Sequence, residues 1–394
     1  MKKKDLSIEE TFALAIQNQQ INDFIVAEKL YNEIIKRDPN YVSAHNNLGI
    51  LLTQNKKYHK ARICFEKVIE LSPNFCDVYN SIGVVYKLLG QNFDAIQNYK
   101  KAIQLNPKYV DAIINLGVVF LENKEYQKAI DRFEKAIKIN PNISNIHNNL
   151  GSAFTKLDKH QKAIDCYEKA IEINPNFTEA YYNLGTLLQE SGVHLKAINC
   201  FEKAIKINPN YIIAYNNLGN LFKELGDNEK AINCYNKIIE IDPSNLLAYI
   251  NLASAFASSE EYIKAFNYNK KALEIDPNNT NSINNLTGLL QFFIFEDEIK
   301  NNTSNFRKLL LFLFRRKNIN HSQISSNIVA LLFELCDGEL QEIVNSDLIL
   351  LDNISIHKLL KEELFYLTLQ KSLVTNLIFE KLITKLRYEI LFTL

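Results

Sequence analysis

The chain has 394 residues, with 45 Lys and Arg balanced by 45 Asp and Glu, 19 Tyr, 23 Phe and no Trp. Zero net charge leaves no global field to hold a polyanion or an acidic membrane surface, which argues against nucleic acid and membranes as partners. The longest apolar bursts, LLQFFIF at 289–295 and LLLFLF at 309–314, are far shorter than the ~20 residues that span a bilayer. The N-terminal MKKKDLSIEE is basic with no apolar segment behind it, so no secretory signal is expected and the expected compartment is the cytoplasm.

The first predicted element opens with Ser7 and Glu10, a capping box. From there the chain follows a ruler of 34 residues. All eight prolines lie on it, at 39, 73, 107, 141, 175, 209, 243 and 277. Six glycines keep the same step (49, 83, 117, 151, 185, 219), as does an alanine series from Ala27 to Ala265. An aromatic series runs Tyr31, Phe65, Tyr99, Phe133, Tyr167, Phe201, Tyr235 and breaks at Asn269, with Tyr268 one place early. Repetition of this kind means stacked supersecondary units. Cys64, Cys166, Cys200 and Cys234 are separated by multiples of the same step. That placement predicts small buried helix residues rather than a disulfide framework.

Each unit reads as two helices. In 178–211, Tyr181, Leu184, Gly185 and Leu188 share one helical face, Gly192 marks a turn, and Ala197, Ile198, Phe201, Ala204 and Ile205 form the next apolar face. Pro209 ends the pair, because it lacks an N–H and disfavours a helical residue before it. Small residues at Gly185 and Ala197 let the two helices approach closely.

Leu-Gly in the first helix, Ala and an aromatic in the second, and Pro near the end resemble the tetratricopeptide repeat. The resemblance covers eight units, 8–41, 42–75, 76–109, 110–143, 144–177, 178–211, 212–245 and 246–279, with Ala15 and Ala253 in place of Gly in the first and last. It implies an all-α fold: a right-handed superhelical solenoid of antiparallel helix pairs, first helices lining the concave side. Segment 280–300, with Ile283, Leu286 and Leu290, has a first-helix pattern only and is expected to cap the stack.

The stripe of the first helix opposite its core face is expected to be exposed, and in the family it is the groove. In 178–191 it runs through Glu179, Tyr182, Asn183, Thr186 and Glu190. Asn recurs at one slot of this stripe, at Asn47, Asn115, Asn149, Asn183, Asn217, Asn251 and Asn285, with Ser81 the one break. A carboxamide carries one carbonyl and one NH2, the complement of a peptide unit. Such a row can hold an extended backbone with little regard to its side chains, and it is similar to the row that grips client peptides in O-linked N-acetylglucosamine transferases. Two other roles fit the same slot: local helix-surface contacts, or hydrogen bonds to the neighbouring repeat. The adjacent slot holds Asn46, Asn80, Ile114, Asn148, Tyr182, Asn216 and Ile250, so no basic clamp for a C-terminal carboxylate is expected.

After about residue 300 the repeat is lost. A helical C-terminal region is expected over 301–394, with helices near 304–316, 323–335, 355–370 and 374–392. Its end, FEKLITKLRYEILFTL, faintly resembles the helical linker of proteins in which tetratricopeptide repeats precede a methyltransferase. Arg315, Arg316 and Lys317 read as a solvated helix end favouring cations, and His321 has no metal-ligand spacing around it. The region has a single Gly, so it cannot supply G-x-G-x-x-G, and G-x-S-x-G is absent.

No catalytic residue, metal or cofactor is therefore expected, and the chain is not expected to be an enzyme. The function expected is a scaffold holding an extended segment of a partner protein. The alternative is the substrate-recruiting part of a protein-modifying transferase, a methyltransferase or glycosyltransferase. RNA binding by one base per repeat conflicts with the absent positive charge.

Overall fold

A computed structural model describes residues 6–289. The far end of the expected cap and the whole region 301–394, with Arg315, Arg316, Lys317 and His321, lie outside the described residues. Among the described residues there are seventeen helices and no strand. The chain divides into two compact units at the Pro209–Asn210 bond.

In the first unit six helix pairs follow one another. They are α1 (Ile8–Gln20) with α2 (Phe24–Arg37), α3 (Val42–Gln54) with α4 (Tyr58–Leu71), and α5 (Cys76–Leu88) with α6 (Asn92–Leu105). Next come α7 (Val110–Glu122) with α8 (Tyr126–Ile139), α9 (Ser144–Thr155) with α10 (His160–Ile173), and α11 (Thr178–Glu190) with α12 (His194–Ile207). The second unit holds α13 (Ile212–Glu224) with α14 (Asn228–Ile241), α15 (Leu246–Ser258) with α16 (Tyr262–Ile275), and the single helix α17 (Thr280–Leu289). Within each unit a helix packs mainly on its neighbours in sequence. First helices of successive pairs also touch, α3 on α5, α5 on α7, α7 on α9, α9 on α11 and α15 on α17.

The sequence ruler maps onto the core. Ala27, Ala61, Ala95, Ala129, Ala163, Ala197, Ala231 and Ala265 are all fully buried, and so are the aromatics from Tyr31 to Tyr235. A Cβ added at Gly49, Gly83, Gly117, Gly151, Gly185 or Gly219 would lie 2.6–2.9 Å from the aromatic ring of its own pair. The absent methyl is thus what lets the ring lie against the first helix. The last pair departs from this. Ala253 takes the glycine place, Asn269 takes the ring place at 1 % exposure, and Tyr268 stacks instead on Phe256 with centroids 5.3 Å apart.

Both kinds of turn have a local cause. Between the helices of a pair the backbone turns left-handed at every 34th residue: Asn22, Lys56, Gly90, Lys124, Asp158, Gly192, Gly226 and Glu260 have φ between 55 and 81°. In each the next N–H reaches back into the ending helix, as Lys57 N–H does to Leu52 O at 2.8 Å, the Schellman closure. Between pairs, the side chain before proline caps the turn. Oδ1 of Asp38, Asn106, Asn140, Asn174, Asp242 and Asp276 accepts the N–H two residues on, at 2.9–3.1 Å. The next first helix then clamps the proline carbonyl: His45 Nε2 donates to Pro39 O and His147 Nε2 to Pro141 O, both at 2.9 Å, and Tyr79 and Tyr249 hydroxyls donate to Pro73 O and Pro243 O. Ser7 and Glu10 form the expected capping box.

Candidate functional site: the asparagine row

The row lies on the first helices, Asn47 on α3, Asn115 on α7, Asn149 on α9 and Asn183 on α11 in the first unit, and Asn217, Asn251 and Asn285 on α13, α15 and α17 in the second. All seven are half-buried. The expectation of an exposed stripe therefore holds at Glu179 and Glu190 but not at the Asn slot. First helices touch across the repeats, and the slot sits at that contact.

Several of the carboxamides reach the preceding repeat. Asn115 Nδ2 donates to Asn80 Oδ1 at 2.9 Å, Asn183 Nδ2 to Asn148 Oδ1 at 3.0 Å, and Asn251 Nδ2 to Asn216 Oδ1 at 2.9 Å. Asn47 lies beside the Tyr31 hydroxyl and accepts from Asn46 Nδ2 at 3.4 Å. Asn285 Nδ2 lies 3.5 Å from Asn269 Oδ1. The side chain of Asn149 makes no hydrogen bond among the described residues; Ile114 fills the slot that would face it. Of the roles open to this slot, inter-repeat hydrogen bonding is thus realised at Asn115, Asn183 and Asn251.

These three bridges are spaced 68 residues apart, and the aromatic series shares that period. Tyr31, Tyr99, Tyr167 and Tyr235 alternate with Phe65, Phe133 and Phe201. The extra hydroxyls point back to the first helix of the same pair. Tyr31 donates to Gln19 Oε1 at 2.9 Å, Tyr167 to Ser152 Oγ at 3.3 Å and Tyr235 to Asn220 Oδ1 at 2.7 Å. The Tyr99 hydroxyl finds no partner among the described residues, since Val84 stands where Ser152 and Asn220 stand in later repeats.

A carboxamide NH2 has two hydrogens and its carbonyl two lone pairs. A bridged rung uses one hydrogen, so Asn115, Asn183 and Asn251 each keep one donor and the whole carbonyl, and the bridge fixes their direction. Two lysines on first helices escaped the sequence reading, and both are engaged. Lys87 pairs with Glu122 at 2.8 Å. Lys223 donates to Ser254 Oγ, and burial lowers its pKa. The four repeat-phased cysteines are free thiols; burial pushes Cys64, Cys166 and Cys200 up to about 11. No described helix is long and apolar enough to cross a membrane.

Models of the tetratricopeptide repeat match residues 42–75 and 144–177, 64–97, 87–124 and 119–158, 177–244, and 216–280, running without a gap from 42 to 280. The chain belongs to the tetratricopeptide repeat family. No curated protein matches it. Among solved structures, MamA is 31% identical over 41% of this chain and 95% of its own, with a TM-score of 0.39. YrrB, described as a TPR protein with an unusual peptide-binding site, is 27% identical over 47% of this chain and 95% of its own, also at 0.39. Pseudomonas aeruginosa pilF is 20% identical over 52% of this chain and 94% of its own, at 0.46.

Proposed function

We propose that this chain is a protein-interaction scaffold whose first helices hold an extended segment of a partner, with Asn47, Asn115, Asn149, Asn183, Asn217, Asn251 and Asn285 hydrogen-bonding its backbone. The observation that carries this reading is the set of half-buried carboxamides at one slot of the first helices, four in the first unit and three in the second, three of them oriented by a bridge from the repeat before. A fixed donor or acceptor binds an incoming peptide group without first losing rotamer freedom. The partner is a protein or peptide, the array does no chemistry, and no cofactor takes part.

The triple variant Asn149→Ala, Asn183→Ala, Asn217→Ala tests it, with affinities read on an array of unstructured peptides. Three hydrogen bonds at roughly 0.5–1.5 kcal/mol each predict a loss of at least about tenfold, with helicity retained. Unchanged affinity in a folded variant overturns the row as the binding element.

A further inference from the structure

The repeat 246–279 breaks its own pattern in two places that face each other. Where six other pairs put a ring against a glycine, this one puts Asn269 against Ala253. Beside them is a cavity of about 310 Å³, lined by Ala253, Ser254, Ala257, Asn269, Asn285 and Leu289 among others. Its wall is mostly apolar, with Ser254, Asn269, Asn284 and Asn285 placed around it. Asn269 Nδ2 gives one hydrogen to Ala265 O at 3.1 Å, and among the described residues its Oδ1 has the 3.5 Å contact with Asn285 Nδ2. Ser254 Oγ accepts from Lys223, which leaves its own hydrogen to donate. Asn284, also in the wall, is exposed and brings a further carboxamide.

We propose that this cavity is a side-chain pocket for a primary carboxamide, a Gln or Asn of the segment held by the asparagine row. The Ser254 hydroxyl and an Asn NH2 donate to its carbonyl, and Asn269 Oδ1 accepts from its NH2. Ala253, Ala257 and Leu289 receive the methylenes. A carboxylate of the same shape meets the Asn269 carbonyl oxygen with no hydrogen to offer it. Asn285 belongs to both features, so the pocket opens at the last rung of the row. It would add choice of one side chain to a row that reads backbone alone, and in this it rests on the function proposed above.

The test titrates N-acetyl-glutamine methylamide and N-acetyl-glutamate methylamide into the 15N-labelled full chain. The expected result is movement of the Asn269 and Asn285 side-chain amide signals by the glutamine probe, with the glutamate probe weaker by about tenfold, near 1.4 kcal/mol. Ala253→Gly with Asn269→Tyr rebuilds the glycine–ring pair, removes the Asn269 carboxamide from the wall and is expected to abolish the response. Asn269→Leu, which keeps the volume and removes the carboxamide, is the second variant should the first fail to fold. Equal response to both probes, or an unchanged response in Asn269→Leu, overturns the pocket. The small probes do not touch the rest of the row. A glutamine response in a protein that binds no extended peptide therefore supports the pocket and sinks the row; peptide binding with no glutamine response does the reverse.

Discussion

At Gly219 one absent methyl group decides the packing of a helix pair. A Cβ there would sit 2.7 Å from Tyr235 Cε1, well inside van der Waals contact, and the ring has nowhere to go because it is fully buried. Overpacking of this kind costs about 1–3 kcal/mol, and the better helix propensity of alanine returns up to about 1. Gly219→Ala is expected to lower stability by about 1–2 kcal/mol in denaturant unfolding. Gly288→Ala, where a Cβ meets nothing within 4 Å, is the control and should lose none. The glycine's role was legible because its spacing and its aromatic partner are both periodic. The role of Asn183 was legible only as one of three alternatives. Its hydrogen-bond partner Asn148 stands 35 residues back, and a pattern read within a single helix does not reveal which residue of the neighbouring helix a side chain reaches.

At the scale of the element, the turn inside each pair is the uniform feature that residue identity conceals. Gly90, Gly192 and Gly226 announce a left-handed residue, whereas Lys56, Lys124 and Glu260 adopt the same φ near 60° with side chains that disfavour it. The closure is imposed by the helix pair, and those residues bear the strain. Lys124→Gly should therefore raise stability by about 0.5–1 kcal/mol, read as a higher denaturant midpoint at unchanged slope. The same conflict between position and identity explains repeat 246–279. The sequence shows Ala253 and Asn269 as two separate irregularities; only packing shows that they are one change, because the two side chains face each other across the pair.

For the molecule as a whole, eight prolines on one ruler made the number, length and order of helix pairs readable over 8–279. Charge conveyed almost nothing about stability, whereas burial does. Cys64, Cys166 and Cys200 titrate at about 11 against an ordinary 9.0 because the folded chain withholds them from water. Below pH 9 these thiols are neutral folded or unfolded, and their contribution is intact. As pH rises toward 11 the unfolded chain loses their protons first, so stability falls across that window. Buried Tyr99 and Tyr235 are raised for the same reason. Melting temperature is expected to decline between pH 9 and 11, and the Cys64→Ala, Cys166→Ala, Cys200→Ala variant to decline less steeply.

The 68-residue spacing of the Asn115, Asn183 and Asn251 bridges has a consequence for how the chain can change length. Excising one unit, 144–177, would bring Asn183 opposite Ile114 and leave its amide without an acceptor. Excising two, 110–177, would bring it opposite Asn80 and restore the bridge. The module of this row is then a doublet of 68 residues, and a chain that grows or shrinks by whole doublets keeps each of these three bridged carboxamides opposite an acceptor.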